Sequence, residues 1–157
     1  MKKLKITGTI LVAVLAIVAI QSCERESSEK GCGEKNISKS GSDESHHNDQ
    51  NCMSCHTSGG TGEGCFSVAG TAYKSNKTSS ATKGDVKFYT APNGGGTLKH
   101  TIAIDALGNF HTTESIDLTG LYPAITLGGT EHYMSTAPGN GSCNSCHGVT
   151  TDKLWGE

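Results

Sequence analysis

Past its first two dozen residues this chain has little with which to build a large apolar core. Aromatic residues make up 5% of it, with one Trp, three Phe and three Pro. No stretch shows apolar residues recurring at helical spacing, which excludes a helical bundle. Basic clusters are missing too, and the formal charge of −2 argues against nucleic acid as a partner. Beyond Ile20 there is no apolar run long enough to span a membrane. No nucleophile–base pair stands out either, so no catalytic residue is nominated and an enzyme is not expected.

What is present begins at the N-terminus. Lys2, Lys3 and Lys5 precede an apolar run from Ile6 to Ile20, the pattern of an export signal covering residues 1–22. The run ends in "IQSC", which resembles the lipobox of bacterial lipoproteins. That resemblance implies cleavage before Cys23 and acylation of its thiol, and so a membrane-anchored protein, periplasmic or outer-surface. An ordinary secretion signal and an uncleaved anchor are the alternatives. Cleavage removes three lysines and no acidic residue, taking the formal charge from −2 to −5.

Residues 23–45 contain one aliphatic side chain after the cysteine, Ile37, in a sea of charged and small residues. This composition predicts a flexible tether of roughly 25 Å root-mean-square span. The alternative is that part of it packs on the domain through Cys32. Seven cysteines need partners in an oxidising compartment. With Cys23 lipidated and four thiols in a repeated motif, Cys32 and Cys65 remain as a candidate disulfide.

Residues 46–157 form the expected domain. "FSVAGTAYK", "DVKFYT", "TLKHTIAID", "FHTTE", "LYPAITLGG" and "EHYMS" read as strands separated by Gly- and Asn-rich turns. In the third of these, Leu98, His100, Ile102 and Ile104 share one face. Short strands at regular spacing with little helix predict a mainly β protein, a small antiparallel β-sandwich.

Two hexapeptides carry the chemistry: "NCMSCH" at 51–56 and "SCNSCH" at 142–147. In C-x-x-C-H the two thiols are spaced to bond the vinyl groups of a haem, and the following His is carried beneath the iron as proximal ligand. Cys and His number seven each, so chance yields two such pentapeptides in roughly one chain in ten thousand. The motifs therefore predict two covalently attached c-type haems. Cys52, Cys55 and His56 would hold one; Cys143, Cys146 and His147 would hold the other. Zinc ribbons also pair C-x-x-C units, but across about 15–20 residues and without a His after each. A thioredoxin-type redox pair would need a βαβ setting that is absent.

The sixth ligand decides between electron transfer and an open, ligand-binding iron. His46 and His47 lie just upstream of the first motif, and His47 is the better candidate. His132 and Met134 precede the second. His100 reads as either a core side chain or a ligand, His111 as exposed, and Met53 as packing.

The stretch "VAGTAY … DVKFYT … IDALGNFHT … LYPAITLGG" resembles transthyretin-like or carboxypeptidase-regulatory-like sandwich repeats, which implies a scaffold without catalysis of its own. "HTSGGTGEG" after the first motif is a glycine-rich loop, unlike the helix that carries the motif in ordinary cytochromes c. The wider pattern "HHNDQNCMSCH…GTAY…GNFHTTES…YMS…CNSCHG" resembles exported multihaem-type proteins in which C-x-x-C-H elements flank a small sandwich. That resemblance implies electron transfer with redox partner proteins of the cell envelope. The haems are expected on loops before the first strand and after the last. An odd number of intervening strands would put them at opposite ends, favouring a head-to-tail homo-oligomer or filament; an even number would bring them together. The rival readings are a haem enzyme or sensor with an open iron position, and a zinc-stabilised structural domain.

Overall fold

The computed structural model describes residues 32–156; the signal segment, Cys23 and the first part of the expected tether lie outside the described residues. Seven strands form two sheets: β1 (Val68–Lys74), β2 (Gly84–Tyr89), β3 (Leu98–Ile104), β4 (Asn109–Thr112), β5 (Tyr122–Leu127), β6 (Thr130–Tyr133) and β7 (Leu154–Gly156). One sheet runs β4-β1-β7 and the other β3-β2-β5-β6. The four-stranded sheet is antiparallel throughout. In the three-stranded sheet β4 is antiparallel to β1, whereas β7 runs parallel to it. The only helices among the described residues are single 3₁₀ turns at Cys52–Ser54 and Cys143–Ser145.

Alternation in the sequence sets the core. Val86 and Phe88 of β2, Ile102 and Ile104 of β3, and Ile125 and Leu127 of β5 face Val68, Ala72 and Phe110 of the other sheet. β1 differs, being buried over six of its seven residues. Val68 and Ala72 belong to the core, while Thr71 and Tyr73 on its other face are covered by the segments bearing the cysteine motifs. Small side chains in "VAGTAY" suit a strand covered on both faces. Between β5 and β6, Gly128 and Gly129 both adopt positive φ, as a two-residue hairpin turn with right-handed twist requires.

Several expectations are corrected here. From Cys32 onward the chain is not a tether. Cys32 is disulfide-bonded to Cys65, with Cα atoms 4.5 Å apart. Ile37 bridges Thr112 antiparallel, Ser38 N–H donates to the His111 carbonyl at 2.9 Å, and the Ser38 hydroxyl donates to the Ala103 carbonyl at 2.6 Å. Main-chain pairing along the open edge of β4 and one covalent link hold this segment without much apolar area. The second motif does not follow the last strand, because β7 comes after it. Three residues are too short to show a period, and their pairing partner lies about eighty residues away. Leu98 is exposed and His100 half-buried, since β3 runs past the core beyond a register shift opposite Phe88 and Tyr89. His111, expected to be exposed, is half-buried and stacked on Phe66 with ring centres 4.6 Å apart.

The outer face of the larger sheet is tied by Glu131. Its carboxylate accepts from Lys87 Nζ at 2.5 Å, Tyr133 Oη at 2.8 Å, Thr126 Oγ1 at 2.9 Å and Tyr89 Oη at 3.2 Å. The Lys87 ammonium above all holds the Glu131 pKa down at about 2. Folding lowers this pKa, so its stabilisation is complete above pH 4.5 and fades as pH falls towards 2. Glu131→Gln should therefore unfold at lower urea concentration than the parent at pH 7, with the gap closing between pH 4.5 and 2.

Candidate functional site

Each motif folds into the same turn. In the first, Cys55 N–H and His56 N–H donate to the Cys52 carbonyl at 3.2 and 3.0 Å; in the second, Cys146 and His147 donate to the Cys143 carbonyl at 3.2 and 2.9 Å. The spacer serines match as well. Ser54 Oγ donates to the Asn51 carbonyl at 2.7 Å, and Ser145 Oγ to the Ser142 carbonyl at 2.6 Å. A short 3₁₀ turn of this kind sets both thiols and the histidine on one local frame.

The histidines are held alike. His56 Nδ1 pairs with the Glu63 carbonyl at 2.9 Å, and His147 Nδ1 with the Asp152 carbonyl at 2.8 Å. A carbonyl only accepts, so Nδ1 carries the proton and Nε2 is the free, lone-pair nitrogen. That is the tautomer a metal-bound imidazole needs, fixed by an outer partner. Around His56 the glycine-rich loop wraps closely: a β-carbon on Gly62 would come 2.7 Å from Nδ1. Phe66 stacks on the His56 ring, with centres 4.0 Å apart and planes within 10° of parallel.

The two motifs lie side by side. Ser142 Oγ donates to Asn51 Oδ1 at 2.6 Å, and Asn144 Nδ2 donates to the Gln50 carbonyl at 2.9 Å. Six strands separate the motifs in sequence, and the even number returns the chain to its starting side. The premise for a head-to-tail chain, motifs at opposite ends, is therefore not met.

Thr71 on β1 joins them. Its N–H donates to Asn144 Oδ1 at 3.0 Å, and its hydroxyl donates to Asn109 Oδ1 at 2.7 Å. The same oxygen accepts from Asn144 Nδ2 at 3.1 Å and from the Asp49 N–H at 3.2 Å. Asn109 Nδ2 continues the network to Ser45 Oγ at 2.9 Å and Asn48 Oδ1 at 2.8 Å. Thr71, Asn109 and Asn144 are all buried. Sequence reading missed all three, because nothing in a spacer Asn or a strand Thr distinguishes a buried network from a solvated side chain.

Ser142 bridges Ala69, and twelve residues later Leu154 pairs with Ala72. The second motif is thus an excursion from an interrupted strand lying along β1. Gly141 must be glycine there, since a β-carbon would collide with the Ser67 carbonyl; Gly70 likewise leaves room for Cys143 and Phe110. Cys143 packs against the core, and burial, with Cys52 nearby, pushes its thiol up to about 12. Burial also raises Cys52. Cys55 and Cys146 are exposed. Raised thiol pKa values are the opposite of what a reactive redox cysteine needs.

A cleft of about 820 Å³ opens beside the first motif, lined by Cys52, Cys55, His56, His46, His47 and Phe66 among others. That volume lies within the range of small-molecule and cofactor sites. His46 and His47 are exposed at its rim. His111 faces it too, but burial lowers its pKa to about 4, and Nε2 pairs with Asn36 Oδ1 at 2.8 Å. His132 stands apart from that cleft's lining. It packs against Trp155, ring centres 4.6 Å apart and planes tilted by 52°, with Nε2 buried and unpartnered among the described residues. Met134, just past β6, and Met53 are half-buried.

No protein-family model, curated protein or solved structure matches this chain.

Replacing Thr71 with Val keeps the shape but removes one hydroxyl that serves three partners. Thr71→Val should lower unfolding free energy by about 2 kcal/mol, measured by urea denaturation, because buried polar atoms lose their partners.

Proposed function

We propose that this protein is a dihaem c-type cytochrome that passes single electrons in the bacterial cell envelope, anchored through an acylated Cys23. One observation carries the reading. Two C-x-x-C-H turns of matching geometry stand side by side, each holding its His Nδ1 against a main-chain carbonyl, so that Nε2 is the nitrogen left to serve as a ligand. Cys52, Cys55 and His56 would hold one haem, and Cys143, Cys146 and His147 the other. When bound, such groups supply reversible one-electron exchange at iron.

The chain's own residues do the rest. The carbonyls of Glu63 and Asp152 fix the tautomer and ring orientation of the two ligating histidines and raise their basicity. Phe66 and the glycine-rich loop keep water from His56, which is 9% exposed. The Thr71 network fixes the distance between the motifs, which favours rapid exchange between two sites inside one molecule. Redox partner proteins would then supply and remove electrons at the exposed thiol edges, Cys55 and Cys146.

Among the described residues no group of three or more His, Cys, Asp or Glu is arranged around a metal-ion site.

Mature protein exported with the haem-attachment machinery should give two haems per chain in a pyridine haemochrome assay. Cys52→Ala/Cys55→Ala should leave one, and so should Cys143→Ala/Cys146→Ala. Absence of a Soret band would overturn the reading, and tightly bound zinc in its place would support a structural domain. High-spin spectra with carbon monoxide binding at both sites would favour a haem enzyme or sensor.

A further inference from the structure

The segment before the first motif is built to hold one side chain in place. Asn48 Nδ2 donates to the Leu107 carbonyl at 2.7 Å and to Ser80 Oγ at 2.9 Å, while its Oδ1 accepts from Asn109. Asp49 is paired with Lys153 Nζ at 2.8 Å, and Gln50 N–H donates to the His47 carbonyl at 3.2 Å. Ser45 on the other side is tied to Asn109 as well. Between these anchors His47 takes φ 54° and Asp49 φ 69°, a left-handed backbone that non-glycine residues rarely adopt. Such backbone strain persists where the surrounding structure holds it in place.

His46, an exposed residue next to this strained turn, lies close to His56. Their ring centres lie 6.0 Å apart, with planes tilted by 33°. An imidazole nitrogen bonds a transition metal at ~2 Å, so two imidazoles on opposite sides of one metal hold their centres ~6 Å apart. Two such ligands are free to rotate about their shared axis, which accommodates the tilt. His47 stands edge-on to His46, centres 4.9 Å apart, and so supports it from the side. The third nearby imidazole, His111, is separated from His56 by Phe66 and committed to Asn36.

We infer that His46, and not the neighbouring His47, is the second axial ligand of the haem held by Cys52, Cys55 and His56. This rests on the dihaem reading. His46 closes the iron to exogenous ligands, gives that haem two imidazoles and a low potential, and commits it to electron transfer.

The test uses the full haem-loaded protein, with haem counted separately by pyridine haemochrome. His46→Ala should keep two haems per chain but convert one from low-spin to high-spin, with new carbon monoxide binding. His47→Ala should leave the parent spectrum. In His46→Gly, added imidazole should restore the low-spin signal. Retention of the parent's low-spin haems in His46→Ala would overturn the assignment while leaving the dihaem reading intact. So would a conversion produced by His47→Ala instead, or a high-spin signal that imidazole fails to reverse. A parent protein without haem would overturn both readings.

Discussion

The hydroxyl of Thr71 is the point through which the architecture is joined. It has one proton to give and two lone pairs to fill, and all three are used: Asn109 receives, Asn144 and the Asp49 amide donate. One partner belongs to the second cysteine motif, one to the segment leading into the first, and one to β4. Buried polar groups are costly unless fully paired, so this network admits one arrangement and penalises every near miss. That makes it a better device for fixing the separation of two sites than apolar packing, which tolerates sliding.

Around that point the sandwich acts as a frame with two unlike faces. The outer face of the larger sheet carries the Glu131 cluster, which binds β2, β5 and β6 together and has no part in the cysteine chemistry. The outer face of β1 carries everything else. A strand of Ala, Gly and Thr is a poor contributor to a core, but it offers a surface on which two turns can lie close to the backbone. The glycines at 70 and 141 serve the same end, removing β-carbons where Cys143 and the strand entering it approach.

Much of this was legible in the sequence. The six strands between the motifs were legible as β-prone runs bounded by Gly- or Asn-rich turns, those at 85–90 and 97–105 with period-two alternation as well, and the mainly β sandwich follows from them. The paired hexapeptides declared the candidate site outright. What escaped has a common physical cause: it depends on partners far away in sequence. Ile37 and Ser38 are ordered by the vacant edge of β4, and β7 by the edge of β1, not by their own composition. His111 looked exposed because its cover, Phe66, lies outside its own strand. The sequence reading favoured His47 over His46 as the candidate sixth ligand; in the fold it is His46, next to the left-handed turn at His47, whose ring lies 6.0 Å from that of His56. The parity of the strands was legible as a question, and the count of six answers it.

The position of Cys143 carries a consequence for timing. It comes late in the chain, and it packs, partly buried, against the core beside Gly70, with its thiol pKa pushed up to about 12. A thiol raised in this way is a poor nucleophile in the folded chain. On the dihaem proposal, covalent attachment at Cys143 is therefore favoured before this packing forms.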